Sequence, residues 1–270
     1  SLGLVGSEMC IRDRDKAAAK IGGATFKISN LSAWNNKGTK VLEDINLEVH
    51  EGEILVIAGV QGNGQTELTE AIIGMHGKTS GSISLDGKEL IGKNVKQVLD
   101  LGVGFVPEDR TEDGLVAEFT IAENLMLDRS DRKPFAKGIS LQLDVLKKFA
   151  TEKLKQFDIR AQGIDSTASQ LSGGNQQKVV LARELSRELR LLVASQPTRG
   201  LDVGSIEFVH EQIVATRDAG IPVLIVATEL DEATQLGDRI AVMYRGKIVG
   251  VVPADTPRAT LGQMMAGISA

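Results

Sequence analysis

Apolar positions along the chain follow two periods. Residues 25–31 and 41–49 alternate apolar and polar, as do 81–85. Alternation of this kind belongs to strands with one buried face, so an antiparallel β portion is expected toward the N-terminus. The runs 54–59, 191–194 and 221–227 are instead apolar throughout and of strand length. Set between helical patterns, they predict a buried, mainly parallel sheet. From 120 to 168 the pattern turns mostly helical, and the clearest helix there puts Leu143, Leu146, Ala150, Leu154 and Phe157 on one face. Residues 253–270 are loosely patterned and read as a tail with at most a short helix.

Two of the buried runs end in chemistry. The first leads into Gly59-Val60-Gln61-Gly62-Asn63-Gly64-Gln65-Thr66, with Glu67 following. The spacing Gly-x-x-x-x-Gly and a polar pair, after a strand and before a helix, is that of a P-loop. Its glycines let successive N–H groups turn inward around phosphate oxygens, and a helix starting near Thr66 would aim its positive end at the same phosphates. The second run, 191–194, ends in Ser195-Gln196-Pro197-Thr198-Arg199-Gly200-Leu201-Asp202. Ahead of it stands Leu171-Ser172-Gly173-Gly174-Asn175-Gln176-Gln177-Lys178, with a helix expected to begin after Gly174.

In this order the segments resemble the ATP-binding cassette (ABC) ATPases, which pair a signature loop, Leu-Ser-Gly-Gly-Gln or a close variant, with a strand ending Asp-Glu-Pro-Thr. The resemblance covers about residues 24–252. It implies an α/β fold of the P-loop NTPase, ABC-ATPase type: a mainly parallel core sheet, an antiparallel β subdomain and an inserted helical subdomain at about 120–185. It also implies ATP and Mg²⁺ as ligands. Trp34 falls where the family keeps an aromatic that stacks on adenine, and Asp202 matches the loop that communicates between paired sites.

The departures from the family pattern fall at functional positions. Gln65 replaces the lysine that reaches the β- and γ-phosphates. It keeps a donor without the charge, and a charge-assisted hydrogen bond is worth about 1.5–3 kcal/mol. Thr66 can still ligate magnesium, weakly, because Ser195 stands where the acidic anchor belongs. Gln196 replaces the catalytic glutamate, and an amide accepts no proton at neutral pH. General acid–base assistance is worth about 10²–10⁴ in rate. Thr228 stands at the switch histidine and Glu108 at the glutamine that senses magnesium and the membrane partner. No catalytic residue of the chain's own site is therefore expected to be intact. His50, His76 and His210 match no catalytic position and read as surface or loop residues.

Cassettes of this family work as head-to-tail pairs, each ATP lying between one P-loop and the other cassette's signature. The resemblance therefore implies a cassette that gives Leu171, Ser172, Gly173, Gly174, Asn175 and Gln176 in trans to an intact partner. The extension Asn175-Gln176-Gln177-Lys178 is typical of bacterial sugar and nucleoside importers, whose ATPases carry an intact first and a degenerate second cassette on one polypeptide. Gln in the P-loop with Ser-Gln at the strand end is similar to the nucleoside type. The partners so implied are an intact first cassette, transmembrane permease subunits and, indirectly, an extracytoplasmic substrate-binding lipoprotein. The implied location is the cytoplasmic face of the bacterial plasma membrane.

Composition is consistent with this reading. The 270 residues, 42% of them apolar, suffice for one P-loop domain with a helical insert. Thirty-one basic against 36 acidic residues give −5, which argues against a nucleic-acid grip. No apolar run approaches the roughly 18 residues a membrane helix needs. Residues 1–14 fit no element and read as the in-frame translation of a transposase adapter used in sequencing libraries, to be excluded from the fold. That reading removes Cys10, the single cysteine, from consideration and expects an intact first cassette upstream. Residues 15–23 are expected as a linker. Two other readings stay open: an independently active ATPase, opposed by Gln65, Ser195, Gln196 and Thr228, and a soluble cassette protein of the translation or repair type, opposed by the acidic balance and the signature extension.

Overall fold

A computed structural model describes residues 16–268. The expected antiparallel portion begins with β1 (Ala24–Trp34) and β2 (Lys40–His50). β3 (Ile54–Ala58), buried at every position, runs into the glycine loop and α1 (Gln65–Ile73). β4 (Lys78–Leu85) and the short β5 (Lys88–Glu89) complete a sheet of order β2-β1-β4-β5. α2 (Val95–Asp100) and β6 (Val103–Val106) come next.

The insert holds α3 (Ile121–Met126), a hairpin of β7 (Ala136–Lys137) and β8 (Ser140–Leu141), and α4 (Leu143–Gln156). The hairpin departs from the helical expectation, its chain reversing at Gly138, whose φ is +62°. The expected apolar face of α4 also needs correction. Leu146, Ala150 and Phe157 are buried and Leu154 packs partly, but Leu143 is 57% exposed. It is the first helical residue, one residue after β8, and the packed face begins one turn later. Periodicity identifies a face; it does not say where along the axis the neighbours start.

The chain returns through α5 (Gly173–Glu184), β9 (Leu191–Ser195), α6 (Val203–Asp218) and β10 (Val223–Ala227). It closes with α7 (Leu230–Leu236), β11 (Arg239–Tyr244), β12 (Lys247–Pro253) and α8 (Arg258–Met265). The main sheet has the order β12-β11-β3-β10-β9-β6, parallel except for the β11–β12 pair. Strand alternation splits two cores. Ile54, Val56 and Ala58 join α3, α5 and α6 on one face, while Leu55 and Ile57 join β1, β2 and α1 on the other. Both faces being covered is why these strands read as unbroken apolar runs.

The ends are more tightly held than the sequence indicates. Lys16 Nζ lies 2.6 Å from Asp238 Oδ1 and donates to the carbonyls of Leu236 and Gly237, and Arg217 Nη2 donates to the Ala17 carbonyl at 3.0 Å. Lys16 and Ala17, in the stretch expected as a linker, are thus bonded to the end of α7, the turn before β11 and α6. α8, in the expected tail, packs on β11 and buries Leu261. The adapter reading of residues 1–14 lies outside the described residues. Among those described, no helix is long and apolar enough to cross a membrane.

One buried ion cluster joins insert and core. Glu184 accepts from Arg183 Nε at 2.7 Å, Arg187 Nε at 2.8 Å and the Phe105 amide at 3.2 Å. Arg187 also pairs with Asp128, which follows α3. Burial opposes ionisation of Glu184, but Arg183 and Arg187 hold its carboxyl below the ordinary glutamate range. A folded pKa below the unfolded one gives stability that is present above the unfolded value and lost as pH falls through the folded value. Glu184→Ala is expected to cost about 3–5 kcal/mol at neutral pH by leaving buried Arg183 without a carboxylate and Arg187 with Asp128 alone. Urea midpoints against pH should show the gap to the native chain closing as pH drops below the usual glutamate range; a gap independent of pH would contradict the assignment.

Candidate functional site

The glycine loop sits between β3 and α1, in the interior of the main sheet, where the carboxyl ends of parallel strands open a crevice. Gly64 has φ +109°, and a Cβ there would meet Leu42 Cδ2 and Met243 Cε at 3.0 Å, so both conformation and space select glycine. Asn63 pins the loop to the β11–β12 turn. Its Oδ1 accepts from the Arg245 amide at 2.8 Å, its carbonyl accepts from the Gly246 amide at 2.8 Å, and its Nδ2 donates to the Val60 carbonyl at 2.9 Å.

Gln65 differs from the expectation of a free donor. Its side chain is buried inside the loop, where Oε1 accepts from the Asn63 amide at 3.1 Å and Nε2 donates to the Val60 carbonyl at 3.2 Å. A neutral amide can satisfy an N–H and a carbonyl together, which an ammonium cannot. One donor of the phosphate cradle is therefore engaged within the chain. Thr66 is exposed at the first turn of α1, and Glu67 in the same turn sets a carboxylate near the positive end of the helix.

The facing positions are also satisfied internally. Ser195 is buried at the end of β9. Gln196 adopts φ +45°, uncommon for a residue with a Cβ, and costs about 1 kcal/mol or more. It is held by its amide on the Val226 carbonyl at 2.8 Å and by Thr228 Oγ1 donating to its Oε1 at 3.3 Å. The positions expected to hold the base and the switch residue thus touch each other. Glu108 accepts from Gln61 Nε2 at 3.4 Å and is ion-paired with Arg199 Nη1. A cleft of about 470 Å³ opens here, lined by Thr66, Glu70, Glu108, Ser195, Arg187 and Arg199 among others. Among the described residues no three His, Cys, Asp or Glu side chains converge as a metal set. At this site an engaged amide thus stands at the position expected for the cradle lysine, and a buried hydroxyl at the position expected for the acidic anchor.

The signature is fully formed. Ser172 caps α5, its Oγ accepting from the Asn175 amide at 3.4 Å and Asn175 Nδ2 at 2.9 Å. The amides of Gly173 and Gly174 fall in the first turn and have no intrahelical acceptor. Arg110 Nη2 would lie 2.6 Å from a Cβ on Gly173, so a guanidinium stands beside this loop, and Arg110 Nη1 donates to the Arg199 carbonyl at 3.0 Å. A Cβ on Gly174 would meet Ser205 Oγ at 2.1 Å; that glycine is required by packing against α6. Asp202 caps α6, accepting from the Ser205 amide at 3.0 Å and Ser205 Oγ at 2.7 Å, and these bonds lower its carboxyl pKa.

The extension residues anchor this loop. Asn175 Oδ1 accepts from the Arg160 amide at 2.8 Å, and Gln176 Nε2 donates to the Ala168 carbonyl at 3.0 Å. Buried Gln177 donates to the Pro197 carbonyl at 2.7 Å, and Lys178 Nζ binds the Asp158 carbonyl at 2.9 Å and carboxylate at 3.0 Å. Sequence reasoning missed Arg110, Arg199, Gln177 and Glu232 as connectors. Glu232 accepts from Thr198 Oγ1 at 2.6 Å and lies 3.7 Å from His210 Nε2. Each is ordinary in type, and only the fold supplies its partner. Trp34 ends β1 with the ammonium groups of Lys40 and Lys78 at 5.6 and 5.3 Å from its ring centroid, cation–π distances at the ring expected to receive adenine. His76 lies, as expected, in the loop between α1 and β4 and is part-buried; His210 is instead part-buried within α6, and His50 ends β2, part-buried beside Glu53.

Comparison with known proteins agrees with this geometry. The profile of the ABC transporter family matches residues 42–199. The chain is 43% identical to the nucleoside import ATP-binding protein NupA of Lactococcus lactis over 94% of its own length and 50% of that protein's. It is 41% identical to the guanosine import ATP-binding protein NupO of Bacillus subtilis (98% and 52%) and 39% identical to the glucose import ATP-binding protein TsgD13 of Haloferax volcanii (98% and 48%). The chain thus spans about half the length of the curated relatives it matches. Among solved structures, the ATP-binding cassette MJ0796, in a dimeric post-hydrolysis state bound to ADP and Pi, superposes with a TM-score of 0.73 at 24% identity, covering 86% of this chain and all of that one. MJ1267, another transporter cassette, gives 0.76 at 21% identity, covering 91% and 98%. These structural likenesses establish the fold.

Proposed function

The chain belongs to the ABC transporter family of ATPases, and on that premise we propose that it is the non-hydrolysing cassette of an importer for nucleosides or simple sugars. It lends its signature in trans to an intact cassette while its own P-loop stands closed. The observation that carries this reading is the contrast between the two halves of the site. Gln65 fills its own loop, while Ser172 is exposed and Gly173 half-buried at the start of α5, with Gly174 buried behind them against α6. A partner's ATP would receive the positive end of that helix, two backbone donors and the nearby Arg110.

In the assembly, ATP and Mg²⁺ belong to the partner's P-loop. Glu108, clamped to Arg199, ties the segment after β6 to the segment after β9, so that motion at the interface is passed to the cleft edge. The cleft between α1, α2 and the insert offers a concave seat to a permease helix at the cytoplasmic face of the membrane. The names of NupA and NupO favour nucleosides over sugars as the imported class.

The test mixes the purified chain with an intact cassette of an importer of this type, carrying Gly-Lys-Ser/Thr in its P-loop. Phosphate release is expected to rise at least about tenfold above the sum of the separate rates, since completing the composite site adds donors worth about 10²–10³ in rate. Additive rates at concentrations where the two associate would remove the trans role.

A further inference from the structure

Four of the exposed large apolar residues fall within seven positions: Ile139, Leu141, Leu143 and Val145. Ile139, at the turn of the β7–β8 hairpin, is 108% exposed and touches nothing that would cover it. The hairpin base, by contrast, is firmly seated. Phe135 is buried and meets Phe149 edge to face at 5.0 Å, with the Arg129 guanidinium over both rings. The Ala136 amide donates to the Arg132 carbonyl and the Gln142 amide to the Phe135 carbonyl, each at 2.8 Å. Asp131 and Arg132 pair with Lys96 and Asp100 of α2. A rigid base thus presents an aliphatic tip to the outside.

The charge around this tip opposes that of the whole chain. From Arg129 to Lys155 there are eight Lys or Arg against three Asp or Glu, a balance of +5 in a chain of −5. Lys133, Lys137, Lys147 and Lys148 are all exposed, and none has an ion-pair partner among the described residues. Ile139 stands fully exposed at the turn, with Lys137 beside it on the hairpin and exposed Lys147 and Lys148 in the first half of α4, where Asp144 is the one exposed acid ahead of them. Exposed aliphatic and unpaired basic side chains together are complementary to a surface that is both apolar and anionic. A lipid leaflet supplies acyl chains for the tip and phosphates for the lysines, whose stems lie along the apolar surface while their charges reach the headgroups.

We propose that the β7–β8 hairpin and the start of α4 form a direct contact with an anionic membrane surface, Ile139 and Leu141 entering the headgroup–acyl boundary and Lys137, Lys147 and Lys148 binding lipid phosphates. The contact belongs to this chain alone and does not rest on the trans role of the signature or on permease docking.

The test is cosedimentation of the full chain with vesicles of phosphatidylcholine, with and without phosphatidylglycerol. Native protein is expected to partition onto the phosphatidylglycerol vesicles about tenfold more strongly than onto phosphatidylcholine alone, with the excess abolished at about 0.5 M salt. Ile139→Asp should lower partitioning at least about tenfold with an unchanged thermal midpoint, since its site touches no core. The triple variant Lys137→Gln, Lys147→Gln, Lys148→Gln should remove the preference for the anionic lipid. Absence of native binding to anionic vesicles would overturn the proposal, as would undiminished binding by both variants. Loss of permease binding by Ile139→Asp, with no lipid binding by the native chain, would reassign the tip to a protein contact.

Discussion

Phosphate release by the purified chain alone is expected to lie at least ~10³-fold below that of an intact cassette. Two independent losses combine. Gln196 cannot serve as a base, which removes about 10²–10⁴ in rate. The cradle cation is absent, and binding phosphate would first have to break the bonds of Gln65 to the Asn63 amide and Val60 carbonyl, each worth about 1 kcal/mol net. Restoring the base alone, by Gln196→Glu, should recover little, because Ser195 still offers no charge to hold the metal and the loop remains filled. Steady-state phosphate release over a range of ATP and magnesium concentrations measures this. Turnover of order 1 s⁻¹ or faster, within the ordinary range of enzymes, in a preparation free of contaminating ATPase would contradict the closed-loop reading.

The second large effect separates the two halves of the site within a complete transporter. With an intact cassette, the permease and proteoliposomes, Gly173→Arg is expected to reduce uptake and ATPase rate at least about 10²-fold, the scale of losing a preorganised donor to a reacting anion. Gln65→Ala should change both less than about twofold by the same logic, since its loop contributes no such donor. The structure makes Gly173 the better probe of its loop. A side chain there meets the mobile end of Arg110, whereas one at Gly174 runs into Ser205 and would confound function with folding. Ser172→Ala adds the loss of a helix cap, about 1 kcal/mol, so its thermal midpoint should be recorded beside its rate. Equal losses at Gln65 and Gly173 would mean that both half-sites work alike.

Much of the architecture was legible because burial on two faces leaves a mark that no local factor can imitate. The apolar runs became β3, β9 and β10; the alternating segments became β1, β2 and β4. Glycine spacing marked the turn between β3 and α1, since Gly62 and Gly64 take φ values open to few other residues. The signature and its capping serine were readable for a similar reason, a short-range motif being satisfied within its own helix turn.

What escaped the sequence depends on partners distant along the chain. The β7–β8 hairpin was hidden in a helical stretch because two-residue strands carry no period. Leu143 matched a buried face, yet exposure depends on where the neighbouring helix ends. The substitution of lysine by Gln65 was plain, but only the folded loop turns that amide inward, by placing the Asn63 N–H and the Val60 carbonyl within reach of its two ends. Glu108 gained Arg199 from 91 residues away, and Gln196 met Thr228 across two adjacent strands. Residue types and their order determined which family was at issue; three-dimensional proximity decided that Gln196 meets Thr228, that Glu108 pairs with Arg199 and that Gln65 turns into its own loop.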